Sequence, residues 1–307
     1  MMISRRRLGL AALSLPLLAA RAASAYRPGA GLEVVRLDRP GQGSVNSFLL
    51  VGDRSVAILD CQRTAVEARA VVAAARGTGL PVEAIVLSHE HADHVVGLEV
   101  VARAFPDAPI LAGEGTRDWI AREGPGLVRA MRNVFGVAIP ERIPVPGRIL
   151  RPGEVIRLAG VEWRVDQLGP GEAGGMTVLH AEAEDVLFAA DLFGSRATPW
   201  LLDGHVRAWI AQLEAALPRY GGVGTALPGH GAAAPASALI GEQLSYLRAF
   251  ETLVRAELGG GAVLPEGAAA RIRHATETRF PGYPRVAPQP NLIELNAEAL
   301  ARELSRG

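Results

Sequence analysis

Apolar positions along this chain keep two rhythms. Leu32-Glu33-Val34-Val35-Arg36-Leu37 alternates closely enough to predict a strand. After the turn Pro40-Gly41-Gln42-Gly43, residues 47–51 and 55–60 predict two more strands around Gly52-Asp53, a hairpin signal. Residues 64–76 are rich in Ala and Val without Pro or Gly, and Gly77 follows, so a helix with a glycine stop is expected. Ala84-Ile85-Val86-Leu87 is apolar at every position and predicts a strand buried on both faces. Leu98, Val101, Ala102 and Phe105 return to helical spacing, and residues 108–112 predict a short strand. Residues 124–148 break the rhythm with several Pro and Gly around an apolar, arginine-bearing stretch, and read as an inserted loop or short helix.

The second half repeats the alternation. Residues 155–158 and 161–165 flank Ala159-Gly160 as another hairpin. Residues 177–180 and 186–190 predict strands of a second sheet, residues 207–217 an amphipathic helix, and residues 224–227 a last buried strand. A long helix pattern covers residues 237–258, with Ser237 as its expected N-cap. Gly259-Gly260-Gly261 is a flexible break, followed by helix patterns over residues 266–280 and 295–304. Strands and helices in this alternation predict an α/β fold, and no internal repeat has a convincing period.

Composition narrows the function classes. The 307 residues suffice for one large α/β domain or two small ones. Basic and acidic residues balance at 32 each, which gives no electrostatic case for nucleic acid as a partner. Cys61 is the only cysteine, so no intrachain disulfide can form, and it reads as a small buried hydrophobe. The N-terminus carries Ser4-Arg5-Arg6-Arg7-Leu8, then an apolar stretch to Ala20, then the small-residue site Ala23-Ser24-Ala25. This is the layout of an export signal, too short in its apolar part for a stable membrane span. The paired arginines after a serine resemble the twin-arginine signal, which exports folded proteins, so a metal centre could be loaded beforehand. An ordinary secretory signal is the alternative. Either way the mature chain, from about Tyr26, is expected in the periplasm.

The densest chemistry is His89-Glu90-His91-Ala92-Asp93-His94, which follows the buried strand after Ser88 alone. Imidazole and carboxylate suit zinc and its first-row neighbours. A strand cannot bury His89, His91 and Asp93 on one face without partners, because buried charges must be paired or metal-bound. Two later strands deliver comparable groups at their ends. Asp191 follows Ala189-Ala190, and His230 sits in Pro228-Gly229-His230-Gly231.

The order H-x-H-x-D-H, strand-end Asp and P-G-H-G resembles the metallo-β-lactamase-fold hydrolases over residues 32 to 235. That resemblance implies an αβ/βα four-layer sandwich of two mixed β-sheets with outer helices. With the N-terminal signal and the glycine break, the chain is expected to divide into an export signal (residues 1–25), a metallo-β-lactamase-like domain (26–258) and a C-terminal helical extension (259–307). The resemblance implies two divalent metal ions, zinc first, with manganese or iron as alternatives. His89 and His91 would bind the first metal. Asp93, His94 and His230 would bind the second, and Asp191 would bridge the pair. The family expects a third histidine for the first metal; Glu172, in Leu168-Gly169-Pro170-Gly171-Glu172, stands there instead. The turn resembles that of an uncharacterised branch of the family. Glu172 either binds metal through oxygen or hydrogen-bonds the glycine-rich turn. As a ligand it adds negative charge, weakens the Lewis acid and shifts preference toward manganese or iron.

The resemblance implies hydrolysis of an ester, thioester, lactone, amide or phosphoester small molecule by a hydroxide shared between metals about 3.5–4 Å apart. Asp93 and Asp191 would be catalytic, Asp93 as a proton acceptor or relay. Lactamases of this fold generally lack a bridging Asp at the position of Asp191, so penicillin hydrolysis is not preferred. Two other classes stay open: a mononuclear-iron sulfur dioxygenase-like enzyme, and a non-catalytic exported metal-binding accessory protein. Asp60 reads as a carboxylate behind the histidine loop, His180 as a satisfied core or edge histidine, and His205 as a group able to reach the pocket. Trp200, Trp209 and residues 127–135 line either the pocket or the core. Oligomeric state has no signal in the sequence.

Overall fold

The computed structural model describes residues 21–29 and 31–306. Residues 1–20 of the expected export signal lie outside the described residues. Arg21–Gly29 (β1), Leu32–Arg39 (β2), Val45–Val51 (β3) and Val56–Leu59 (β4) pair antiparallel in chain order. Val82–Leu87 (β5), Ile110–Gly113 (β6) and Arg148–Leu150 (β7) extend this sheet in parallel. The crossovers that parallel pairing requires are Ala65–Gly77 (α1), Ala92–Val95 (α2) with Leu98–Ala104 (α3), and Glu114–Phe135 (α4).

The second sheet is Val155–Leu158 (β8), Val161–Leu168 (β9), Met176–Ala181 (β10) and Val186–Ala190 (β11), an antiparallel meander, closed by Thr225–Pro228 (β12) parallel to β11. Val206–Tyr220 (α5), Ala236–Leu258 (α6), Ala268–Arg279 (α7) and Leu292–Leu304 (α8) complete the fold. Among the described residues no helix is long and apolar enough to cross a membrane.

Strand alternation explains the layering. Phe48, Leu50, Leu59 and Val86 of the first sheet meet Trp163, Val165, Val178 and Phe188 of the second in one inner core. Their neighbours Leu49, Ile58, Ile85 and Leu87 face the other way, onto Val71, Val101 and Ile120 of the helices. The central strands are thus covered on both sides, which is why β5 is apolar throughout. Two mixed sheets with helices outside form the αβ/βα sandwich expected from the sequence.

Three local expectations change. Pro125 lies inside α4, so the first half of the predicted insertion, to Phe135, belongs to a 22-residue helix that starts before it, and a 3-10 turn at Gly136–Ala138 and a loop carry the rest to β7. Pro125 removes one backbone donor, yet Ile120 and Val128 bury the same helix face and hold it. Thr64 is the N-cap of α1, in a capping box with Glu67, and the left-handed turn falls at Gly79 rather than Gly77. Pro235, not Ser237, precedes α6. Past the Gly259 break, Ile272, Ile293, Ala297 and Leu300 join the inner core. Glu303 of α8 accepts from the Val206 and Arg207 amides at the start of α5, at 2.9 and 3.0 Å, where the helix dipole favours a carboxylate.

Candidate metal centre

Asp60 organises the histidine loop. It lies just past β4 with φ 59°, a conformation non-glycine residues adopt sparingly. Its carboxylate accepts from Ser88 N at 2.8 Å, Ser88 Oγ at 2.7 Å and His94 Nδ1 at 2.8 Å. With the Ser88 hydroxyl proton given to Asp60, Ser88 Oγ must accept from His89 Nδ1, 2.9 Å away. Both imidazoles therefore donate from Nδ1 and turn Nε2 inward. Carboxylates commonly set metal-binding histidines this way.

The distant residues arrive on the ends of three strands of the second sheet. Glu172 is in the turn after β9, Asp191 directly follows β11, and His230 follows β12. A Cβ on Gly229 would collide with Asp191 Oδ1, and one on Gly231 (φ 84°) with the Ser195 carbonyl. Only glycine lets the chain close on the Asp191 carboxylate at the first position and on the Ser195 backbone at the second. Asn46 Nδ2 donates to the carbonyls of Pro228 and Gly231, both at 2.8 Å, tying this turn to the first sheet.

All seven side chains singled out in the sequence meet. His91 Nδ1 is 2.8 Å and His89 Nε2 3.5 Å from Glu172 Oε2. Asp191 Oδ2 lies 3.0 Å from His230 Nε2, 3.4 Å from His94 Nε2 and 3.8 Å from His89 Nε2. Asp93 Oδ2 is 3.7 Å from His230 Nε2. Three groups have donor atoms within 4.8 Å of one another: His89, His91 and Glu172; His89, His94 and Asp191; Asp93, His94 and His230. His89 Nε2, His94 Nε2 and Asp191 Oδ1 are buried without a hydrogen-bond partner among the described residues. Such convergence of orphaned imidazole nitrogens and carboxylate oxygens fits divalent cations.

Burial pushes the Glu172 carboxyl up to about 7. Burial also lowers His89, and His94 beside it adds to the effect. For His94 and His230 burial works downward but is outweighed by Asp191, so both rise. His91 rises well above the usual range because Glu172 and Asp203 overcome its burial. Asp93 and Asp191 fall, because burial is offset by Arg63 for the first and by His230 and His94 for the second.

Two contributors have no local sequence signal. Arg63 is buried and donates from Nη2 to Asp93 Oδ2 and to the Val286 carbonyl, both at 2.9 Å, and from Nη1 to the Gly43 carbonyl at 2.8 Å. It joins the centre to the β2–β3 turn and the connector before α8. Asp203 Oδ2 lies 3.2 Å from His91 Nε2, the outer nitrogen, and Asp203 Oδ1 accepts from Trp200 Nε1 at 3.0 Å. The turn holding His205 held this carboxylate too. His205 itself precedes α5 and belongs to none of the three groups. His180 stands apart, 3.3 Å from Arg164, and His274 is exposed. Cys61 is fully buried, and burial pushes its thiol up. Residues 127, 128, 131 and 135 pack in the outer core.

The pattern of the metallo-beta-lactamase superfamily matches residues 40–256, and the chain belongs to that superfamily. A probable metallo-hydrolase of Streptococcus pyogenes is 29% identical over 82 residues, 27% of this chain and 34% of that protein. The uncharacterized protein YobT of Bacillus subtilis is 29% identical over 90 residues, 29% of this chain and 37% of its own. The chain thus spans about a third of the length of the curated relatives it matches. A metallo-beta-lactamase family protein of Thermus thermophilus has the same fold, with TM-score 0.64 and 23% identity over 90% of this chain and 93% of that one. A beta-lactamase domain protein from Burkholderia ambifaria aligns with TM-score 0.63 and 20% identity over 94% and 92%.

Proposed function

We propose that this chain is a metal-dependent hydrolase. His89, His91 and Glu172 hold one divalent cation, Asp93, His94 and His230 a second, and Asp191 stands between them. The observation that carries this reading is the convergence of buried ligand atoms from four strand ends, with His89 Nε2, His94 Nε2 and Asp191 Oδ1 left unpartnered among them. Zinc is the first choice, and Glu172 favours manganese or iron beyond what a third histidine would. When bound there, divalent cations would supply Lewis acidity toward a carbonyl or phosphoryl oxygen and toward water near neutral pH. Asp93 accepts the proton released in hydrolysis and passes it on, with Arg63 keeping the carboxylate charged. Asp191 fixes the spacing between the two ligand groups. Burial of the cluster excludes bulk water and strengthens each of these interactions.

The substrate is a small ester, thioester, lactone, amide or phosphoester. The balanced formal charge supports a small molecule rather than nucleic acid. The arginine-bearing N-terminus supports export to the periplasm. Metal analysis of the purified protein, with a substrate panel assayed before and after chelation, tests the reading. Stoichiometric metal and chelator-sensitive turnover are expected; metal-free protein active on the panel contradicts it. Slow or absent turnover of nitrocefin is expected, and fast turnover makes the chain a lactamase instead.

One observation favours a second reading. His89, His91 and Glu172 make a two-histidine, one-carboxylate set, the ligand type of non-haem iron oxygenases. Iron as the sole metal in anaerobically purified protein, with oxygen uptake on persulfides, would establish it.

A further inference from the structure

Helix α6 brings a polar group to the ligand cluster that none of the loops supplies. Glu172, Asp191 and His230 share a cavity with Trp209, Gly194 and Gln243. Its volume is about 10 Å³, roughly the space one water molecule needs. Gln243 is 4% exposed. Its Oε1 accepts from the Gly194 amide at 3.1 Å. A backbone N–H can only donate, so this contact fixes which end of the side-chain amide is oxygen. The Nε2 end, a double donor, is buried without a hydrogen-bond partner among the described residues. Buried polar groups are almost always paired, and one left over beside a reactive cluster calls for a ligand.

We propose that Gln243 Nε2 donates a hydrogen bond to an oxygen held at the ligand cluster, so that Gln243 is a catalytic residue in the hydrolysis proposed above, on which this inference rests. The oxygen belongs either to the substrate, where negative charge develops during attack, or to a water. Preorganised amide donors stabilise such charge without reorganising, because the Gly194 contact has already locked the side chain. The position is chemically apt: the cavity's other polar walls are two carboxylates and an imidazole, and Gln243 alone among these brings donors that need no proton from solvent. The residue also fits a simpler role, that of holding the Gly194 turn, which requires only Oε1.

Two variants of the full-length, metal-loaded protein separate the roles. Gln243→Glu keeps an oxygen for the Gly194 amide and removes the amide donors; Gln243→Met removes both. The readouts are metal content, Tm, kcat and KM on the panel substrate that the wild type turns over, and the affinity for inorganic phosphate as an oxyanion probe. Gln243→Met should keep its metal, since Gln243 is not a ligand. Both variants should lose about 10²-fold in kcat, the loss typical of one oxyanion donor. Phosphate affinity falling about tenfold in parallel assigns the acceptor to substrate; an unchanged phosphate affinity assigns it to water. Gln243→Glu with wild-type kcat and phosphate affinity overturns the proposal and leaves the turn-holding role, even where Gln243→Met fails to fold. Wild type without bound metal sinks the hydrolase reading and this inference with it, whereas metal-loaded protein indifferent to both substitutions sinks this inference alone.

Discussion

The two corners of the ligand cluster are built differently. Asp93, His94 and His230 sit in a closed corner, where Asp60 is 1% exposed, Arg63 is 5% exposed, and the connector through Val286 covers them. His91 belongs to the other corner and is backed by Asp203, whose side chain is 38% exposed. A fully buried network must satisfy every member, so losing one partner exposes the full cost of the rest. A partly wet contact can be replaced by water. The closed corner therefore acts as the rigid frame, and the His91 corner is the more exposed side of the cluster.

Removing the shared element should have the largest effect. Asp191→Ala takes away the carboxylate facing both corners, and we expect loss of stoichiometric metal and of nearly all turnover; retained metal at both positions would contradict its place between them. Next comes the frame. Arg63→Met leaves Asp93 a buried charge without its partner, which costs about 3–5 kcal/mol in comparable sites, read as a lower midpoint in denaturant. Asp60→Ala strands three donors and frees the His94 ring, so a loss of about 10–100-fold in metal affinity is expected. Wild-type affinity in that variant would mean that the His94 orientation is set elsewhere.

The wetter corner should respond less. Asp203→Asn keeps the shape and removes the charge beside His91, and metal affinity should fall by about tenfold or less while Tm stays put; a loss as large as that of Asp60→Ala would erase the distinction between the corners. Glu172→His is the mildest change and has the opposite sign. Replacing a carboxylate by imidazole should tighten zinc and weaken manganese, measured by competition with a chromophoric chelator. Equal zinc affinity would remove Glu172 from the ligand set.

The same contrast explains what was legible in the sequence. His89 to His94 could be read directly, because one short loop after one buried strand carries four candidate ligands and local spacing encodes it. Asp60 was legible for a related reason, as a carboxylate at the end of the neighbouring strand. Asp191 and His230 stood out only as polar residues closing apolar strands, and Glu172 came from its place in the family pattern. Arg63 and Gln243 were out of reach: their partners lie up to 223 residues away in the chain, and nothing in their immediate surroundings predicts which carbonyl or amide they meet. Individual strands and helices followed from alternation and the sandwich from the family pattern, whereas the continuity of α4 through Pro125 depended on packing against the outer core. Tertiary burial overrides a local breaker there.

The central claim is that these side chains form a two-cation site. The most direct measurement is anomalous diffraction at the zinc edge from crystals of zinc-loaded protein. Two peaks are predicted, one in bonding reach of His89 Nε2, His91 Nδ1 and Glu172, the other of Asp93, His94 Nε2 and His230 Nε2. Zinc found only at surface histidines, with no density between these residues, would contradict it.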